Sequence, residues 1–258
     1  MILGIAGKKS AGKDSSAKYL MGYTLKQAGI VDKFDVNDNG DLLVNYETKD
    51  DKNKVISGMG VLDLNQTSVP FLTYMEEVVY PHICFKYFAT LLKEICHTLY
   101  GIPYEYLYGT EEDKNRLTGY TYKVFAPNLS AKNKRDWKLD KELTVREFMQ
   151  LVGDYQRALN DKCFINATIK ECLNSHSNLI IIPDVRFIPE IEAIKAAGGK
   201  VIYQTRNIDR DEHSSETELD DVYNKLCDAI IDNQELGMKE KNLAVLNAVK
   251  SFGWITEE

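Results

Sequence analysis

The sequence predicts an α/β protein built on a doubly wound parallel sheet. Three observations carry that expectation. Residues 1–29 read as strand, glycine-rich turn and helix. From Leu179 to Val249, short apolar strands alternate with helical patterns, the signature of helices on both faces of a parallel sheet. The length of 258 residues suits one such core, because single cores stop growing near ~250–300 residues. We therefore expect residues 1–258 to form a single domain.

The elements follow in order. Ile2, Leu3 and Ile5 make a short buried strand, and Gly7 to Gly12 the turn. Ala17, Leu20, Met21, Thr24 and Ala28 then recur at helical spacing, with Gly29 as the stop. Residues 31–82 are polar and lack a strong helical period; we expect an insertion into the core fold. Within it, Asn39-Gly40 between Phe34-Asp35-Val36 and Leu42-Leu43-Val44 predicts a hairpin. Asp35, Asn37, Asn39 and Gly40 imitate the opening of a calcium loop, but Tyr46 stands where a bidentate Glu is required, which excludes calcium. Phe88, Leu91, Leu92, Ile95 and Leu99 predict an apolar helix face ended by Gly101 and Pro103. Residues 100–143 lack a clear period and read as a segment over a cleft.

Thr144-Val145-Arg146-Glu147 is a capping box. The helix it opens is expected to bury Val145, Phe148, Met149, Val152 and Leu159. Its other stripe is Arg146, Gln150, Gly153 and Arg157: two guanidiniums, an amide and a glycine that lets something approach closely. Phe164, Thr168, Cys172 and Leu173 predict a further helix. A strand at 179–183, a helix opened by Pro189 and closed by Gly198-Gly199, strands at Val201-Ile202-Tyr203 and Ala229-Ile230-Ile231, and a helix carrying Leu243, Leu246 and Val249 complete the chain.

Composition narrows the function. Apolar residues at 44% and charged residues at 28% describe a soluble globular protein. A net charge of −7 argues against non-specific binding to nucleic acid. The longest aliphatic run is Leu179 to Ile182, far short of the roughly 20 residues that span a bilayer, and no signal-peptide pattern opens the chain, so neither a membrane nor export is expected. Five cysteines, an odd number without Cys-x-x-Cys, point to the reducing cytoplasm. His82, Cys84, Cys96 and His97 match no standard zinc spacing.

The chemistry concentrates at a few places. Gly7-Lys8-Lys9-Ser10-Ala11-Gly12-Lys13 has the Gly-x4-Gly-Lys spacing of a phosphate-binding loop, between an apolar strand and an amphipathic helix. Backbone amides would face a polyphosphate, and the Lys13 ammonium would reach its β- and γ-phosphates. Ser or Thr ordinarily follows that lysine as a magnesium ligand. Here Asp14 stands there, so magnesium falls to Asp14, through a water, or to Ser15. Asp184 ends a buried strand, at the edge where open α/β sheets bind ligands, with Arg186 and Glu190 on the same turn. Arg206, Arg210 and His213 lie in a charged loop, expected as a lid over 206–218.

These residues taken in order resemble a known family. The loop from Gly7 to Ser16, Phe88-Ala89 through Leu92-Lys93-Glu94, Tyr108-Gly109-Thr110 with Lys114-Asn115, Val145 to Gln150 with Gly153-Asp154, Pro183 to Phe187, and His213 to Glu216 look like the bacteriophage deoxynucleoside monophosphate kinases. The resemblance implies a P-loop nucleoside monophosphate kinase-like fold, transfer of the ATP γ-phosphate to a deoxynucleoside 5′-monophosphate (dNMP) with magnesium, and a homodimer. It implies that Gly7, Ser10, Gly12, Lys13, Asp14, Ser15, Ser16 and Arg206 hold ATP. Lys9, Lys93, Arg146, Gln150, Gly153, Asp154, Asp184, Arg186 and Glu190 would line the dNMP site, with Phe164 where the family often has a base-stacking Trp. Lys13, Arg146, Asp184, Arg186 and Arg206 would form the catalytic set. Two other readings stay open from the residues themselves. One is another small-molecule kinase, since phosphomevalonate kinases share the Gly-Lys-Asp loop. The other is a nucleotide-binding protein without an acceptor.

Overall fold

The computed structural model describes residues 1–8, 10–49, 53–125, 140–206 and 223–255. In chain order the elements are β1 (Ile2–Ala6), α1 (Lys13–Gln27), β2 (Phe34–Val36), β3 (Leu42–Lys49), β4 (Val55–Val61), α2 (Val69–Tyr74, continued by a π-helical turn over Met75–Val79) and β5 (Ile83–Phe85). There follow α3 (Ala89–Tyr100), α4 (Tyr104–Tyr108), α5 (Glu111–Lys114), β6 (Leu117–Thr121), α6 (Tyr122–Phe125), β7 (Glu142–Thr144), α7 (Val145–Leu159) and α8 (Cys163–Asn174). The chain closes with β8 (Leu179–Val185), α9 (Ile188–Ala196), β9 (Lys200–Thr205), α10 (Tyr223–Leu226), β10 (Ala229–Asp232) and α11 (Met238–Ser251). They gather into two compact units, residues 1–87 with 168–258, and residues 88–167.

The first unit holds the expected parallel sheet, in the order β10-β9-β1-β8-β5. β1 is central and apolar on both faces, as a doubly covered strand must be. Leu3 and Ile5 join Leu20, Met21 and Leu25 of α1 and Val245, Leu246 and Val249 of α11 in one buried cluster. Gly4 faces the other way, under Ile194 of α9. The chain leaves β1 for one edge and later returns for the other, which places β1 at the switch point where such sheets bind ligands.

Residues 31–82 contain the predicted hairpin: β2 and β3 pair antiparallel around a loop in which the Asn37 side chain accepts the amides of Asn39 and Asp41. β4 adds a third strand. The segment also holds a helix, α2 with its π turn, which the weak period did not mark. Met75 and Val79 of that stretch are buried in the core and Phe71 packs against it, too few positions to read as a period.

In the second unit, residues 88–167, Thr110 and Thr144 open α5 and α7 with paired capping boxes. Cys96, Leu107, Leu143, Val145, Phe148 and Val152 form the core there. Several predicted apolar faces are displaced. In α3 the line that packs on this core is Leu92, Ile95 and Cys96; Leu91, about 100° off that line, and Leu99, in the last turn, are exposed. Leu159 and Leu173 close α7 and α8 beyond the core and are exposed, and Leu151 is buried in α7 instead. In α11, Leu243 is exposed, and Val245 replaces it. No helix among the described residues is long and apolar enough to cross a membrane.

Candidate active site

The phosphate loop joins β1 to α1 at the carboxyl edge of the sheet. Gly7 has φ +143°, and a Cβ there would stand 2.5 Å from the Gln204 carbonyl oxygen, so only glycine lets the chain turn off the strand. Ser10 adopts φ 60°, a left-handed conformation that costs a non-glycine residue about 1–3 kcal/mol and clusters at ligand sites. Lys13 is buried, and its ammonium donates to the carbonyls of Gly7 (2.5 Å) and Lys8 (2.6 Å). Burial pulls its pKa down to about 7, helped by Arg186 and opposed by Asp14 and Asp184. Asp14 follows Lys13 in the chain, and Asp184 and Arg186 flank Val185, which pairs with Ala6 just before the loop, so their charges act on that ammonium. An arriving phosphate would supply the missing negative charge and compete for the same donors.

β8 explains why Asp184 is there. Gly4 pairs with Ile182, yet Ala6 pairs with Val185, so two steps of β1 oppose three of β8. The bulge falls at Pro183, which has no N–H to give an interior strand; bulges are where such prolines are tolerated and where side chains are re-aimed. The turn that follows is held by Glu190. Its Oε2 accepts the amides of Arg186 (2.7 Å) and Phe187 (3.0 Å). Burial pushes that carboxyl up to about 8; the two amides oppose the shift and Asp184 adds to it. Glu190 is thus buried and engaged with backbone in this structure.

Two residues of this edge escaped the sequence reading. Tyr87 follows the end of β5; burial, then Asp14 and Asp184, raise its pKa well above the ordinary phenol value. Lys241 of α11 is 4% exposed and donates to the Gly12 carbonyl (3.0 Å) and Ser15 Oγ (2.5 Å). Burial, then Arg206, lowers its pKa to about 8, against Asp14. Behind the loop, Gln204 donates to Ser16 Oγ, which donates to Asn242, and Asn233 donates to the Ala11 carbonyl. Neither the lysine nor the amides sit in a local motif; the packing of α11 brings in Lys241 and Asn242, and the ends of β9 and β10 bring in Gln204 and Asn233.

A cavity of about 370 Å³ opens beside Lys8, between Thr205 and Arg206 at the end of β9 and Asp232 and Gln234 after β10. Tyr203 and Tyr223 line it, stacked with ring centroids 4.2 Å apart. Arg206 is described and exposed; Lys9, Arg210, His213 and the rest of the expected lid lie outside the described residues.

The remaining expected nucleotide residues belong to the second unit. Arg146 is 26% exposed and bonds Glu111 Oε2 at 2.6 Å. Arg157 pairs with Asp154 at 2.9 Å. A Cβ on Gly153 would meet that guanidinium at 3.2 Å and Leu92 at 3.3 Å, so what approaches closely is the neighbouring helix. Lys93 lies 4.0 Å over the Tyr108 ring. Gln150 is half-buried and Phe164 is 5% exposed, with no ring on an open surface.

A glycine-rich loop and buried lysine at the carboxyl edge of a five-stranded parallel sheet define a P-loop, kinase-like α/β protein. A family model described as deoxynucleotide monophosphate kinase matches residues 85–240, well over half of the chain. The chain belongs to that family. No curated protein matches it.

Proposed function

We propose that this chain transfers the γ-phosphate of ATP to a deoxynucleoside 5′-monophosphate, giving dNDP and ADP. The observation that carries this is the pairing of Ala6 with Val185, which brings Asp184 and Arg186 to the end of β1 where the loop with Lys13 and Asp14 begins, in a chain of this family. Phosphoryl transfer needs little covalent chemistry from the protein; it needs the phosphates held in line and their charge neutralised. Loop amides and Lys13 would hold the β- and γ-phosphates, Arg186 would meet the transferred group, and Asp184 would orient its neighbours. The cavity beside Lys8 has room for the adenosine end. Arg146, Gln150 and Lys93 would receive the acceptor, with Arg146 exchanging Glu111 for a phosphate.

Magnesium, when bound, would neutralise phosphate charge. Asp14 fits that ion: it is an exposed carboxylate at the loop, and magnesium commonly takes one or two carboxylates plus substrate phosphates. A homodimer in the cytoplasm completes this reading.

Steady-state rates with ATP and each of the four dNMPs, beside AMP, GMP, CMP and UMP, test it. We expect dNDP formation with at least one dNMP and a preference of about 10–200-fold over its ribonucleotide, the scale set by a tightly packed pocket. ATP hydrolysis indifferent to every monophosphate would refute it. Equal kcat/KM for each deoxy and ribo pair would remove only the deoxy preference.

A further inference from the structure

Lys241 has a cost that a structural tie alone does not explain. A buried ammonium loses most of its hydration, and neutral side chains make the neighbouring links, Asn242 to Ser16 of α1 and Asn233 to the loop at Ala11. Its surroundings use all three of its protons: the Gly12 carbonyl, Ser15 Oγ and, weakly, Met238 Sδ at 3.8 Å. The loop is shaped to admit it. Gly12 turns at φ +84°, a left-handed conformation that glycine adopts without strain, and its missing side chain leaves Nζ close to the loop backbone.

Ser15 is committed by the same contact. Its hydroxyl donates to the Gly12 carbonyl at 2.9 Å and accepts from Lys241 at 2.5 Å. A divalent ion on that oxygen would lie about 4 Å from a fixed ammonium, given metal–oxygen distances of about 2.1 Å. Like charges that close repel strongly in a partly buried site. Ser15 therefore does not fit the metal role open to it from the sequence.

We propose that Lys241 is a positioning residue of the phosphate loop, which fixes Gly12 and Ser15 by hydrogen bonds, excludes Ser15 from the metal and leaves Asp14 as the side chain through which magnesium strengthens nucleotide binding. The proposal rests on the loop being a nucleotide site, as above. It accounts for the departure at position 14: the chain keeps a cation on the serine and moves the metal contact to the preceding carboxylate.

Calorimetric titration of ADP, with magnesium and with EDTA, tests this on the full chain. The expected outcome for Lys241→Met is a Kd for ADP in EDTA raised about 10-fold or more, with partial recovery in Lys241→Arg. For Ser15→Ala, the ratio of the EDTA and magnesium Kd values should stay within about twofold of wild type. For Asp14→Asn that ratio should collapse by about 10-fold or more. The proposal is overturned if Ser15→Ala collapses the ratio, or if folded Lys241→Met binds ADP in EDTA as wild type does. The Ser15 and Asp14 arms decide the matter even if Lys241→Met does not fold. Failure of the kinase reading would show separately, as ADP binding without phosphoryl transfer to any dNMP.

Discussion

Replacing Glu190 separates two things that one side chain does. Its Oε2 takes two backbone amides at 2.7 and 3.0 Å, and it is 6% exposed. Glu190→Ala strands both donors, at about 1–3 kcal/mol each. Because those amides are only partly buried, we expect a total near the lower end, about 2–4 kcal/mol. Glu190→Gln keeps an acceptor oxygen in the same place and should cost little. The pH dependence then distinguishes the pair. Burial raises the carboxyl from an ordinary 4.5 to about 8 in the folded chain. Below 4.5 the group is protonated in both states and contributes no difference. Between 4.5 and 8 the unfolded chain releases a proton that the folded chain retains, so stability falls as pH rises, by at most ~1.4 kcal/mol per pH unit. A neutral carboxyl fits the geometry, since Oε1 can carry the proton while Oε2 accepts both amides. Denaturant unfolding of wild type and Glu190→Gln from pH 5 to 8 measures this. The two proteins should diverge, with the wild type losing stability relative to the variant as pH rises. Parallel curves would refute the buried-carboxyl argument, and a Glu190→Ala protein as stable as Glu190→Gln would refute the amide argument.

Three further outcomes are expected. Lys13→Ala should lower kcat by ~10²-fold or more while the protein stays folded, read by coupled assay and circular dichroism; near-normal turnover would count against the phosphate-loop assignment. Arg146→Lys should raise the KM for dNMP by ~10-fold with little change for ATP, because an ammonium cannot reproduce the paired donors of a guanidinium; unchanged dNMP kinetics would make Arg146 only the partner of Glu111. Gly22→Ala should destabilise by about 1–3 kcal/mol in a thermal melt, since its Cβ would overlap the Phe34 ring and stand 2.8 Å from Leu42.

The phosphate loop, the parallel sheet and the Thr144 cap were legible because each depends on residues close in sequence. Spacing alone placed Gly7, Gly12 and Lys13, and the capping box placed the start of α7. Asp184 was legible as the end of a strand, but the bulge beneath it was not, since a register shift needs both strands. Glu190 shows the limit differently. A Glu beside Arg186 reads as a ligand, and neither its burial nor the two amides it accepts can be seen. The displaced helix faces have another cause: leucines at helix ends match the period but lie beyond what the core covers, as Leu159 and Leu173 do. Tyr87, Lys241 and the Gln204, Asn233 and Asn242 amides were not legible at all, because tertiary packing alone joins them to the loop.

That packing has a consequence for how the protein is made. Residues 7–16 are synthesised well before their supports: Lys241 is 226 residues from Ser15, and Asn233 is 222 from Ala11. Contacts of such sequence separation carry a large closure entropy and form late in folding. During synthesis the nascent loop therefore lacks the ties that shape it until β9, β10 and α11 have emerged and docked. The loop takes its finished shape only after those supports have docked, and a ligand that fits the finished loop stabilises the fold as a whole.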